Sequence, residues 1–125
     1  MEVKKDNDLK LIPYYEDYMF YMIQLITHLP RTEKFSIGTD FKQVMYTCLE
    51  DILYINKLEV SKRLPYLNRI DAKLNTQRIM LRVMKKFQWI DIKKFDIAMG
   101  KIYEIGKILG GLIKYYAKNN KKSVW

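Results

Sequence analysis

The chain has 125 residues, 49% of them apolar, with only five glycines and three prolines, enough for one domain with its own core and too few breakers for a long disordered stretch. Its charge is divided: residues 1–60 hold seven Lys/Arg against ten Asp/Glu, and residues 61–125 hold sixteen against four, a net of −3 beside +12. That asymmetry favours a polyanion as partner, whether nucleic acid, an acidic protein surface or anionic lipid.

Residues 1–12 read as an N-terminal extension that opens on the charged run Met1-Glu2-Val3-Lys4-Lys5-Asp6. Such a start has no apolar signal segment, so the expected compartment is the cytoplasm. The first helix is predicted from about Pro13, a residue suited to a first helical position, to about His28. Tyr14, Tyr18, Tyr21, Met22, Leu25, Ile26 and Leu29 recur along it at helical spacing, and Pro30 ends it. Pro30 to Phe35 form a short connector. The second helix follows Ser36, a candidate N-cap, and runs to about Ser61 with Phe41, Val44, Met45, Cys48, Leu49, Ile52 and Ile55 on one stripe.

The third helix starts at Pro65 and runs to about Phe87, with Leu67, Ile70, Leu74, Leu81 and Met84 as its apolar face. Gln88 to Asp91 make a turn in which Asp91 is a candidate N-cap. The fourth helix spans about Ile92 to Ala117, using Phe95, Met99, Ile102, Tyr103, Ile105, Leu109, Ile113 and Tyr116, and residues 118–125 read as a frayed basic tail. Short connections between long amphipathic helices predict antiparallel neighbours, hence an all-α, up-down-up-down four-helix bundle over residues 13–117. The weakly charged stretch Ile108–Tyr116 is interrupted by Lys114 and falls far short of the ~20 apolar residues of a bilayer span, so no membrane partner is expected.

Catalytic chemistry finds no foothold in the residue types. His28 is the only histidine and Cys48 the only cysteine, too few for a zinc set or a Cys-His pair. His28 falls in the last turn of the first helix, where a cationic group complements the dipole. Four-helix nucleases of the HEPN type need an arginine shortly before a histidine, and none precedes His28. Cys48 lies on the core stripe and reads as a small hydrophobe. The acidic pairs Glu16-Asp17 and Glu50-Asp51 lack the Glu-x-x-His motifs of di-metal bundles and read as solvated faces. No metal, cofactor or catalytic residue is expected.

The basic residues carry more information. Arg78, Arg82, Lys85 and Lys86 cluster within about a quarter-turn beside the apolar stripe of the third helix, and Arg69 and Lys73 sit on its other flank. Lys93 and Lys107 share a face of the fourth helix. These eight residues form the expected polyanion surface. Gly106 and Gly110, with Gly111 beside them, stand inside the fourth helix, where each glycine costs ~1 kcal/mol relative to alanine. Close helix packing, within the bundle or between subunits, is the expected reason. The tyrosine-rich first helix (Tyr14, Tyr15, Tyr18, Tyr21) holds more aromatic surface than a small bundle readily buries, which points to self-association.

With these elements placed, the chain resembles the Avd-like four-helix-bundle family, the accessory variability determinants encoded beside the reverse transcriptase of diversity-generating retroelements. The connector Leu29-Pro30-Arg31-Thr32-Glu33-Lys34-Phe35-Ser36-Ile37-Gly38 is similar to the family's Pro-Arg connector. Arg69-Ile70-Asp71 through Leu81-Arg82-Val83 resembles its arginine-bearing third helix. Ile105-Gly106-Lys107-Ile108-Leu109-Gly110-Gly111-Leu112 is similar to its Ile-Gly-Arg-x-Leu-Gly-Gly-Trp ending, with Leu112 at the tryptophan position and Lys107 at the arginine position.

The resemblance implies a homopentameric barrel that binds the reverse transcriptase and its template RNA, with DNA as a further nucleic-acid ligand. The proteins encoded by intervening sequences of 23S rRNA genes share the fold and supply the alternative, a nucleic-acid-binding bundle with no polymerase partner. Their Ser-Asn-Ile-Ala-Glu-Gly-like stretch is replaced here by Cys48-Leu49-Glu50-Asp51-Ile52-Leu53, which favours the Avd side. A small nuclease or nucleotidyl enzyme, the third class, would need acid-base or metal residues that the chain lacks.

Overall fold

Four long helices follow one another in the computed structural model, which describes the backbone of residues 2–124 and the side chains of residues 10–118. They are α1 (Glu2–Thr27), α3 (Ile37–Ile55), α4 (Arg63–Lys86) and α5 (Ile92–Val124). A single turn, α2 (Arg31–Lys34), occupies the first connector, and a 3₁₀ turn (Val60–Lys62) leads into α4. No strand occurs among the described residues.

Pairing is antiparallel at every junction. Ascending α1, Asp17 and Tyr21 meet Lys101 and Lys94 of α5 in descending order. Asp51 and Tyr54 of α3 meet Lys73 and Tyr66 of α4. Lys85 of α4 reaches Phe95 near the start of α5, and Arg63 reaches Tyr116 near its other end. The four helices therefore close in chain order into an up-down-up-down bundle, with α1 against α5.

Several boundaries differ from the sequence reading. Pro13 lies inside α1, so the expected N-terminal extension and the first helix are one element. The helix passes Pro13 with one ladder bond missing, because proline has no N–H, and Leu11, two residues before it, is already buried in the core. The second long helix stops at Ile55 rather than Ser61: its last carbonyls accept from Lys57 and Leu58 in tight i→i+3 bonds, and Arg63 Nε then donates to the Leu58 carbonyl at 3.0 Å. Pro65 falls in the first turn of α4, where its missing donor has no partner to lose. Backbone helix continues through Val124, where the sequence suggests a frayed tail; the tail's side chains beyond Lys118, and Trp125 itself, lie outside the described residues.

Capping is mixed. Asp91 caps α5, its Oδ1 accepting from the Lys94 N–H at 2.8 Å. Ser36 stands at the N-cap position of α3 but turns its hydroxyl back to Glu33. α4 closes with a Schellman arrangement, Trp89 N–H donating to Met84 O and Gln88 N–H to Lys85 O, both at 2.9 Å. This places a glutamine, not a glycine, in the left-handed region at φ 61°.

The core combines one apolar stripe from each helix with a polar ladder. Gln77, 0% exposed, occupies a core position of α4. Its Oε1 accepts from the Tyr18 hydroxyl at 2.7 Å and its Nε2 donates to the Tyr15 hydroxyl at 3.3 Å. Tyr15 in turn donates to the Met45 carbonyl of α3 at 2.7 Å, so one chain of hydrogen bonds ties α1, α3 and α4. Burial holds the phenols of Tyr15 and Tyr18 well above their ordinary pKa, which keeps them neutral donors. Tyr15 and Tyr18, expected as surplus aromatic surface, are thus core residues, and of the four tyrosines of α1 only Tyr14 and Tyr21 keep rings at the surface.

Candidate nucleic-acid interface

α4 lies between α3 and α5 and carries cations on both flanks. Their fates differ because α3 presents a carboxylate and the facing stretch of α5 does not. Asp51, expected on a solvated face, is only 7% exposed and sits at the α3–α4 junction. A carboxylate there needs charged partners to offset its lost hydration. Lys73 Nζ supplies one at 2.6 Å and also reaches the Thr47 carbonyl at 3.4 Å; Arg69 Nε supplies another at 3.3 Å while its guanidinium lies over the Tyr66 ring. Arg69 and Lys73 therefore have a structural task and stand apart from the other basic residues.

On the opposite flank, Arg78, Arg82 and Lys85 recur at i, i+4 and i+7 toward α5. Arg78 is half-buried: its Nη1 donates to Asn75 Oδ1 at 2.5 Å, and its guanidinium lies across Gly106. A Cβ at Gly106 would stand 2.5 Å from Arg78 Nη2, so this glycine makes room for a side chain. Around Gly110 nothing lies within 4 Å of a Cβ position. Neither Gly106 nor Gly110 meets another helix backbone among the described residues, so neither serves close backbone packing within the bundle.

Lys85 places its ammonium 4.7 Å from the centre of the Phe95 ring. Lys107 lies 3.8 Å from Glu104, a weak surface pair, and over the Tyr103 ring. Arg82, Lys86 and Lys93 are exposed and make no ion pair among the described residues. Arg78 and Lys85 thus stand at the α4–α5 seam, with exposed Arg82 and Lys86 on the same flank of α4 and exposed Lys93 in the first turn of α5. Lys107 lies instead beside Lys10, Tyr14 and Glu104 on the α1 side of α5, and Arg69 and Lys73 belong to the α3–α4 seam.

One feature beside this seam escapes the sequence reading. At the α4–α5 turn, Phe87 and Trp89 stack at 5.1 Å between ring centres with 19° between their planes, and Phe87 is 63% exposed. An open cavity of about 550 Å³ lies on the Trp89 side of the pair, lined among others by His28, Lys85, Trp89, Asp91 and Lys94. The available signal is the run Lys85-Lys86-Phe87-Gln88-Trp89, where aromatics directly follow lysines at a helix end.

The remaining candidates are placed as follows. His28 Nδ1 donates to the Gln24 carbonyl at 2.8 Å, capping the end of α1. Cys48 is fully buried, and burial pushes its thiol up to about 11. Among the described residues no three His, Cys, Asp or Glu gather as metal ligands, and no helix is long and apolar enough to cross a membrane.

Comparison with curated proteins returns no match. A family model described as bAvd-like matches residues 10–116. That span takes in the buried faces of all four helices and both ends of the α4–α5 seam, and the chain belongs to the bAvd-like family.

Proposed function

We propose that this chain is the non-catalytic accessory protein of a diversity-generating retroelement, binding the reverse transcriptase and template RNA, with the α4–α5 seam as its polyanion surface. Family membership supports the accessory role. The observation that carries the nucleic-acid half is the set Arg82, Lys86 and Lys93: three exposed cations without carboxylate partners among the described residues, beside Arg78 and Lys85. Such charges neutralise phosphates and release counterions without reading sequence, so RNA and DNA both fit. A homopentamer belongs to the same reading. Exposed Phe20 on α1, with Tyr46 and Leu53 on α3, supplies apolar surface for contacts between copies, and a ring would repeat the basic seam.

The test is the triple variant Arg82→Gln, Lys86→Gln, Lys93→Gln, which spares half-buried Arg78 and the Asp51 partners. Anisotropy titrations with template RNA should show affinity reduced at least tenfold near physiological salt, roughly 1.4 kcal/mol, and a salt slope reduced by about 2–3. Helicity and melting temperature should stay as in the parent. Parental affinity and salt slope in a folded variant would overturn the assignment.

A further inference from the structure

We infer that the Phe87–Trp89 corner is a stacking platform for unpaired bases, so that the basic seam takes single-stranded nucleic acid in preference to duplex. This rests on the reading that the seam binds nucleic acid and adds which form it takes. Three observations converge at one end of the bundle. An aromatic ring that is 63% exposed stacks on its neighbour instead of folding back on the core. The left-handed turn at Gln88 fixes that geometry, since it lets residues on either side of it present their rings in parallel. Lysines flank the pair in sequence, Lys85 and Lys86 before it and Lys93 and Lys94 after it, and Lys85 and Lys94 line one cavity together with Trp89.

A ring alone would suit any apolar partner. A ring flanked by four cations suits a ligand with a flat π face joined to an anionic backbone at every repeat, which describes a nucleic-acid strand. Bases inside a duplex already stack on each other and cannot reach Phe87, whereas an unpaired base can. The cavity, about 550 Å³, is of a size that holds one small ligand group and far too narrow for a double helix. Within it Lys85 and Lys94 supply charge for a phosphate, and the carboxylate of Asp91 and the amide of Gln88 supply edge partners for a base.

The experiment compares a single-stranded oligonucleotide with a hairpin duplex of equal charge, using the 125-residue chain carrying Trp125→Phe so that Trp89 is its only tryptophan. The single strand should bind at least about fivefold more tightly and quench Trp89 fluorescence on binding, while the duplex does neither. Phe87→Ala should lower single-strand affinity by about fivefold or more and leave duplex affinity unchanged; Phe87→Tyr, which keeps a π face, should retain parental binding. Equal affinities for the two forms, or equal losses for both in Phe87→Ala, would overturn the inference and leave the phosphate-binding seam standing. Loss of reverse-transcriptase co-purification with single-strand binding intact would overturn it too and reassign the corner to a protein contact. Failure of both nucleic acids to bind the parent would remove both readings.

Discussion

Replacing Gln77 with leucine should destabilise the bundle by about 1–3 kcal/mol, and adding Tyr18→Phe should return most of that loss. Leucine fits the volume of the site and adds apolar contact, so shape is not what fails. The cost comes from the Tyr18 hydroxyl, which is fully buried and donates at 2.7 Å to Gln77 Oε1. With that acceptor gone, a donor is left in a dry core with nothing to bond. Tyr18→Phe alone leaves Gln77 Oε1 without its donor, while Nε2 keeps the Tyr15 hydroxyl and the Lys73 carbonyl, so its cost falls toward the lower end of the same range. The double variant removes both ends of the bond, and Tyr15 still donates to Met45 O. The cycle should therefore show strong coupling, about 1–3 kcal/mol in the direction of rescue. Urea unfolding at fixed protein concentration reads it directly, and for a domain of this size each kcal/mol moves the melting temperature by roughly 3–5 °C. Additive losses, with the double variant worse than either single one, would refute the claim that this ladder is one hydrogen-bonded unit.

Cys48 should resist thiol reagents at pH 8 in the native protein and react only at the rate of unfolding, since burial raises its thiol to about 11; rapid native labelling would contradict this. The same burial sets a pH window. Native Cys48 holds its proton while an unfolded chain releases it near 9, so stability from this group is complete below about pH 9 and is lost as pH rises toward 11. Buried Tyr15 and Tyr18 extend the loss upward from 10, and Cys48→Ala should show a shallower decline between 9 and 10 in a pH series of unfolding midpoints. Gly110→Ala should stabilise the isolated subunit by about 0.5–1 kcal/mol, because the added methyl meets nothing in the chain and removes glycine's helix penalty. If light scattering shows that this variant instead weakens self-association, Gly110 serves contact between copies.

The number of helices and their inward faces are legible in the sequence, because four stripes of apolar residues at 3.6-residue spacing leave little choice. Boundaries are harder where no glycine or proline punctuates the chain. Asn56 to Glu59 carry no such signal, and α3 stops there because Arg63 takes the Leu58 carbonyl and Tyr54 packs edge-on against Tyr66, both decided by tertiary structure. Pro13 carries a signal that misleads: its fitness for a first turn does not prevent an earlier start. Gln77 is readable from spacing alone, since it falls midway between Leu74 and Leu81 on the core stripe that Ile70 and Met84 extend to either side. Asp51 likewise stands three residues after Cys48 on the edge of the α3 stripe. Its burial needs the knowledge that α4 brings Arg69 and Lys73 to it.

The reach of the basic surface follows from where carboxylates stand, more than from how many cations there are. The second half of the chain has a net charge of +12, yet part of it is engaged inside the bundle. Asp51 draws Arg69 and Lys73 to the α3 side, Asp17 of α1 holds Lys101 at 2.7 Å, and Arg63 is fixed to the Tyr116 hydroxyl at 2.7 Å. Along the α4–α5 seam the facing positions of α5 are Phe95, Met99 and Gly106, which attract no cation by charge. Arginines and lysines there keep their charge available, and the seam runs down α4 to the turn that carries Phe87 and Trp89. Positive charge on α4 thus leads to a π face at the turn along one edge of the bundle. A strand lying on that edge would meet cations along its backbone and an aromatic ring at its end, an order that a duplex could use only in part.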